Sequence, residues 1–122
     1  MGAFGAHGLE GWLETNWPED WAKRLANWKT AATYQMYHSL GLIAVGLVAS
    51  FSKRARILNL AGWMMLLGIL LFSGMLYGWV FLDSRTMVMI VPLGGLCFIA
   101  GWILFAVAAL RVKSSTSFQT SQ

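Results

Sequence analysis

The sequence predicts an all-α integral membrane helical bundle, with three transmembrane helices and an N-terminal interfacial amphipathic helix. Three observations predict it. Of 122 residues, 57% are hydrophobic and only 11% are charged, against roughly 25% charged in soluble domains. The stretches 31–51, 57–82 and 87–110 contain no Asp, Glu, Lys or Arg, and each supplies the about 20 residues that a bilayer crossing needs. The basic residues mark their ends. Lys53, Arg54 and Arg56 fill the gap between the first two stretches, and Arg111 and Lys113 follow the third, which is a topology signal.

The same counts exclude other classes. With 7 Trp, 7 Phe and 3 Tyr the chain is too aromatic for a solvated coil. A single cysteine, Cys97, gives no disulfide framework and no zinc cluster. A net charge of +4 is placed at the ends of apolar runs, not interleaved with aromatics on one face, so nucleic acid is excluded as a partner. The partner implied is the lipid bilayer.

Taken in order, residues 1–9 read as the remnant of a glycine-rich helix. Gly2, Gly5 and Gly8 recur every third residue, a stripe that lets another helix approach closely. Nine helical residues cover only about 13 Å, so the stripe reads as the end of a membrane helix whose beginning is absent. Residues 16–30 form the expected interfacial helix. Asn16 with Glu19 three residues on reads as a capping pair, with Pro18 in the first turn. Trp17, Trp21, Leu25 and Trp28 share one face, and Glu19, Asp20, Lys23, Arg24 and Asn27 are assigned to the other.

The three spans follow at 31–51, 57–82 and 87–110, with Pro92 in the first part of the last, where a proline is tolerated. The Ser-, Thr- and Gln-rich end, 111–122, reads as a disordered tail. Three spans put the basic 52–56 loop and the tail on one side. That side carries Lys53, Arg54, Arg56, Arg111 and Lys113, against Lys23, Arg24, Lys29 and Arg85 on the other. The bias places the C-terminus in the cytoplasm.

Four motifs in this order resemble the YgdD/YwdK family of small inner-membrane proteins (domain of unknown function 423). They are Gly2-Ala3-Phe4-Gly5-Ala6-His7-Gly8-Leu9, the run from Trp28 through Tyr34-Gln35-Met36-Tyr37-His38 to Leu42, Gly68-Ile69-Leu70-Leu71-Phe72-Ser73-Gly74, and Pro92-Leu93-Gly94-Gly95. The resemblance implies a multi-pass protein of a bacterial inner membrane with both ends cytoplasmic, and a first helix that precedes and includes the glycine signature. It implies no catalytic residues.

Chemistry within the spans is sparse. His38 lies about a third of the way into the first span, with Tyr34 one turn before it and Gln35 and Ser39 beside it. Polar groups at such depth face the bundle interior. Tyr34, Gln35 and His38 are therefore the expected intramembrane polar cluster. His38 and His7 are the candidates for holding a cofactor, against the plainer role of a hydrogen-bonded histidine that fixes helix packing. The favoured reading needs no cofactor and no metal. No nucleophile elbow, Walker loop or metal-ligand spacing is present, so the chain is expected not to be an enzyme.

Glycine carries the packing signal. Gly74 and Gly78 make a small-xxx-small pair, and Gly94, Gly101 and Ala108 recur every seven residues, so these residues and the Gly2, Gly5, Gly8 stripe are the expected helix contacts. Three functional classes result. The favoured one is a non-enzymatic packing or accessory component of the membrane, a homo-oligomer or a subunit of a larger membrane complex. The alternatives are an oligomeric pathway for a small solute or ion, and a haem- or quinone-binding redox helper using His38.

Overall fold

A computed structural model of the chain describes residues 8–52 and 55–113. The expectations placed on Gly2, Gly5, His7 and on 114–122 of the tail lie outside the described residues, while 111–113, placed in the tail, are helical. The described chain forms four helices: α1 (Leu9–Asn16), α2 (Trp21–Ser50), α3 and α4 (Arg85–Lys113). Helix α3 has three parts, α-helical Ala55–Gly68, a π-helical turn Ile69–Gly74, and α-helical Met75–Leu82. This is the all-α bundle expected.

The N-terminal helices differ from the expected pattern. No helix starts at Asn16. Instead α1 ends there, and the Asn16 side chain donates back to the Trp12 carbonyl at 2.8 Å. Pro18 is the reason. Its ring disfavours helical geometry at the preceding residue, and Trp17 takes φ −139° and ψ 59°. The next helix starts only after Asp20, so the expected interfacial helix and first span are one continuous 30-residue rod, α2. At 1.5 Å per residue this rod is about 45 Å long.

By length and composition, Arg56–Leu82 in α3 and Arg85–Leu110 in α4 are suited to cross a membrane. Helix α2 is long enough but less apolar, because its middle carries Thr33, Tyr34, Gln35, Tyr37, His38 and Ser39. Outward-facing side chains are large and apolar: Leu40, Ile43, Leu47, Leu70, Met89, Leu93 and Leu110 are all exposed. Such a surface is suited to lipid, not water.

Helices α3 and α4 pack along each other, α2 packs against α3, and α1 folds onto α2. Two apolar clusters close the ends of the bundle. One gathers Leu9, Leu13, Leu25, Trp28, Trp79 and Val80, and the other Val45, Leu58, Ala61, Met65 and Ala108. Between them the backbones touch. A Cβ added to Gly94 would lie 2.5 Å from the Phe72 backbone nitrogen, and one added to Gly68 would lie 3.1 Å from the Gly94 carbonyl. Without apolar contrast between lipid and side chain, such close approach is what holds membrane helices together.

The π turn keeps α3 aimed inward. Its buried residues are Leu58, Ala61, Met65 and Gly68, then Ser73, Leu76, Trp79 and Val80. Along the stripe Leu58, Ala61, Met65, Gly68, Ser73, Leu76, Val80 every step is three or four residues except the five from Gly68 to Ser73, the step a π turn accommodates. Asp83 then ends the helix in a left-handed conformation (φ 48°), with its N–H donated to the Trp79 carbonyl at 3.1 Å. Asp tolerates that geometry better than most residues.

Candidate functional site

Two polar constellations stand out, one at the α1 end of the bundle and one in its middle. The first is built on Arg24, which has no solvent exposure. Its Nη1 donates to the Val80 carbonyl at 2.8 Å and the Trp79 carbonyl at 3.2 Å. Its Nε donates to Asp20 Oδ1 at 3.0 Å. Its Nη2 lies 3.1 Å from Asp83 Oδ1 as an ion-pair contact without aligned hydrogen-bond geometry. The guanidinium also lies over the Trp17 ring at 3.6 Å and near the Trp79 ring at 4.9 Å.

This corrects the expected face of Arg24. It lies on the buried tryptophan side of α2, with Leu25 and Trp28, not with the solvated charges. The spacing contained the signal. Arg24 is three residues after Trp21 and four before Trp28, the same helical face. A cation meeting the last carbonyls of a helix is favoured by the helix dipole, so Arg24 acts as a clasp between α2 and the end of α3.

The second constellation surrounds His38, which is 6% exposed. Its Nδ1 lies 2.7 Å from the Tyr34 carbonyl, one turn back. Its ring stacks on Phe98 of α4 with centroids 3.3 Å apart and planes 13° apart. Tyr34 stacks in turn on Phe72 of α3 at 4.6 Å. Tyr34, His38, Phe72, Gly95, Phe98 and Trp102 border a groove of about 610 Å³ that continues along Leu96, Ile99 and Ile103. Gln35 points elsewhere, and its Oε1 accepts from Tyr77 Oη of α3 at 2.8 Å. The expected cluster is therefore divided, with Tyr34 and His38 at the groove and Gln35 at the α2–α3 seam.

The glycines separate in the same way. Gly94 and Gly101 lie at close contacts, the latter with an added Cβ 2.9 Å from Met65 Cγ and 3.3 Å from the Ala61 carbonyl. Ala108 is fully buried against α3. An added Cβ on Gly78 would meet only the flexible Met87 side chain, at 2.8 Å, and one on Gly74 nothing nearer than Ile69 O at 3.8 Å. Gly8 is exposed. Phe98, and the pairing of Tyr77 with Gln35, are what sequence reasoning missed. Ser73 is buried on the π turn, its hydroxyl without a hydrogen-bond partner among the described residues. Among the described residues no group of three or more His, Cys, Asp or Glu could hold a metal ion.

Comparison with known proteins adds a family. A family model described as "Protein of unknown function (DUF423)" matches residues 1–95. The chain is similar to the UPF0382 membrane protein YwdK of Bacillus subtilis, with 43% identity over 111 residues, 91% of this chain and 85% of that protein. It is similar to the UPF0382 membrane protein SERP0230 of Staphylococcus epidermidis, with 43% identity over 110 residues, 90% of this chain and 83% of that one. A UPF0382 membrane protein of Haemophilus influenzae is 41% identical over 114 residues, 93% of this chain and 85% of its own length. No solved structure matches.

Proposed function

The chain belongs to the DUF423 family and is a relative of the UPF0382 membrane proteins, and from that membership we propose that it is a non-enzymatic accessory component of a bacterial inner membrane. It packs there with copies of itself or with a larger membrane complex, and its C-terminus lies in the cytoplasm. One observation carries this reading. Polar side chains tie α2 to α3 at two places: Arg24 to Asp83 and to the Trp79 and Val80 carbonyls, and Gln35 to Tyr77. A conduction or carrier path needs polar groups free to exchange partners with a moving solute. Groups tied in this way pin helices instead.

The test is a native mass of the protein released from its own membranes in mild detergent, paired with a flux assay in liposomes. A defined oligomer or a co-purifying subunit, with liposomes silent to ions and small solutes, is the expected result. A monomer without partners refutes the packing role. Flux that the wild type carries and Gln35→Leu abolishes replaces it with the pathway reading.

A further inference from the structure

We propose that the groove beside His38 binds a flat hydroxylated aromatic ring bearing a hydrocarbon tail, the chemistry of a lipid-soluble hydroquinone. A carbonyl oxygen only accepts, so the 2.7 Å contact with the Tyr34 carbonyl puts the proton of a neutral His38 on Nδ1. The other nitrogen, Nε2, is then an acceptor. Among the described residues His38 makes no hydrogen bond other than that through Nδ1. An acceptor on a groove-lining side chain within an apolar span calls for a donor, and a ring hydroxyl supplies one. An acyl chain does not.

The walls suit a ring. Tyr34 and Trp102, 40% and 42% exposed, offer ring surface at the groove, and Phe72, His38 and Phe98 stack beside them. Offset stacking on such faces adds to burial. The volume of about 610 Å³ lies within the roughly 300–1,000 Å³ usual for small-molecule sites. Leu96, Ile99 and Ile103 line the same groove and are 62%, 59% and 58% exposed, so a tail can run from the ring along α4 into the lipid. Gly95 leaves the groove open, because a Cβ added there would meet nothing within 4 Å.

The experiment uses the full chain in phosphatidylcholine nanodiscs and a decylhydroquinone carrying a diazirine, kept reduced, with labelled sites mapped by mass spectrometry. Saturable labelling on 92–103 is expected, displaced by unlabelled decylhydroquinone. Its dimethyl ether, with the same ring and no donor, is expected to compete about tenfold less well, the value of roughly one hydrogen bond. His38→Phe is expected to weaken labelling by a similar factor. Gly95→Leu fills the groove without a backbone clash, and is expected to abolish labelling while leaving the unfolding midpoint in place. Non-saturable labelling, equal competition by the ether, or wild-type labelling of Gly95→Leu each overturns the proposal.

Discussion

Replacing Arg24 with methionine removes the clasp while keeping an unbranched side chain of similar length. The loss is not shared equally among its contacts. The Asp20 and Asp83 side chains are 37% and 53% exposed, so once freed they rehydrate, and their ion pairs count for little. Trp79 O keeps the Asp83 N–H. Val80 O, beside a fully buried side chain, loses its charged donor, and an unsatisfied buried acceptor costs about 1–3 kcal/mol. Stacking of the cation on Trp17 adds about 1–2 kcal/mol at a desolvated site. A destabilisation of about 2–5 kcal/mol is expected, read as unfolding by a denaturing detergent in mixed micelles. Because Trp17 stacks on the guanidinium, the 17–20 turn should also become cleavable by protease before the bundle unfolds. Arg24→Lys keeps the charge but not the planar fork and should recover only part of the loss. An Arg24→Met protein that unfolds with the wild type and keeps its turn protected would show that the clasp holds nothing.

Two further predictions separate contacts that the sequence presents alike. Gly94→Val must push α4 away from the Phe72 backbone and is expected to lose several kcal/mol of stability or fail to accumulate, whereas Gly74→Ala, whose added Cβ makes only an ordinary contact at 3.8 Å, should be neutral or gain up to about 1 kcal/mol from helix propensity; equal effects in one unfolding assay would refute the assignment. Tyr77→Phe deletes the hydroxyl that Gln35 accepts at 2.8 Å and should cost about 1–2 kcal/mol by the same assay, with Gln35→Leu adding little on top; fully additive losses would place the two residues in separate interactions.

The fold class was legible because membrane constraint leaves few solutions. Charge-free runs and their basic ends leave little room for anything but a helical bundle, and the glycine and Tyr34–His38 motifs were specific enough to identify the family. The local boundary at Asn16 was not legible for a definite reason. An Asn-x-x-Glu capping pattern and a proline stop occupy the same residues, and the stop wins here, Trp17 leaving helical geometry before Pro18. Arg24 was misassigned by its residue type: charge argued for solvent while its spacing argued for the tryptophan face. A long guanidinium can satisfy both, lying flat on aromatic rings while donating to a helix end. Phe98 and Tyr77 as partners of His38 and Gln35 were beyond reach, because pairing across helices depends on relative rotation, which no single-helix pattern encodes.

That rotation is what the π turn sets, and it yields a sharper test. Before Ile69 the inward stripe of α3 falls on Leu58, Ala61, Met65 and Gly68, and after it on Ser73, Leu76 and Val80. Each α-helical residue turns the chain by about 100°, so the one extra residue would otherwise swing the last turns away from α2, taking Tyr77 from Gln35 and Val80 O from Arg24. Deleting Leu70, which is 57% exposed, removes that residue. The stripe then steps by three and four throughout, and a regular α-helix presents the same side chains inward. The deletion should therefore fold, with the loss limited to about 1–2 kcal/mol from the shortened rise and the altered Phe72–Gly94 contact. Deleting Met64, within the already regular part, misaligns every inward residue on one side of it and should not accumulate as folded protein. If both deletions fail alike, the π turn is more than an inserted residue, and the Ser73 hydroxyl within it, without a partner among the described residues, becomes the first place to look for the reason.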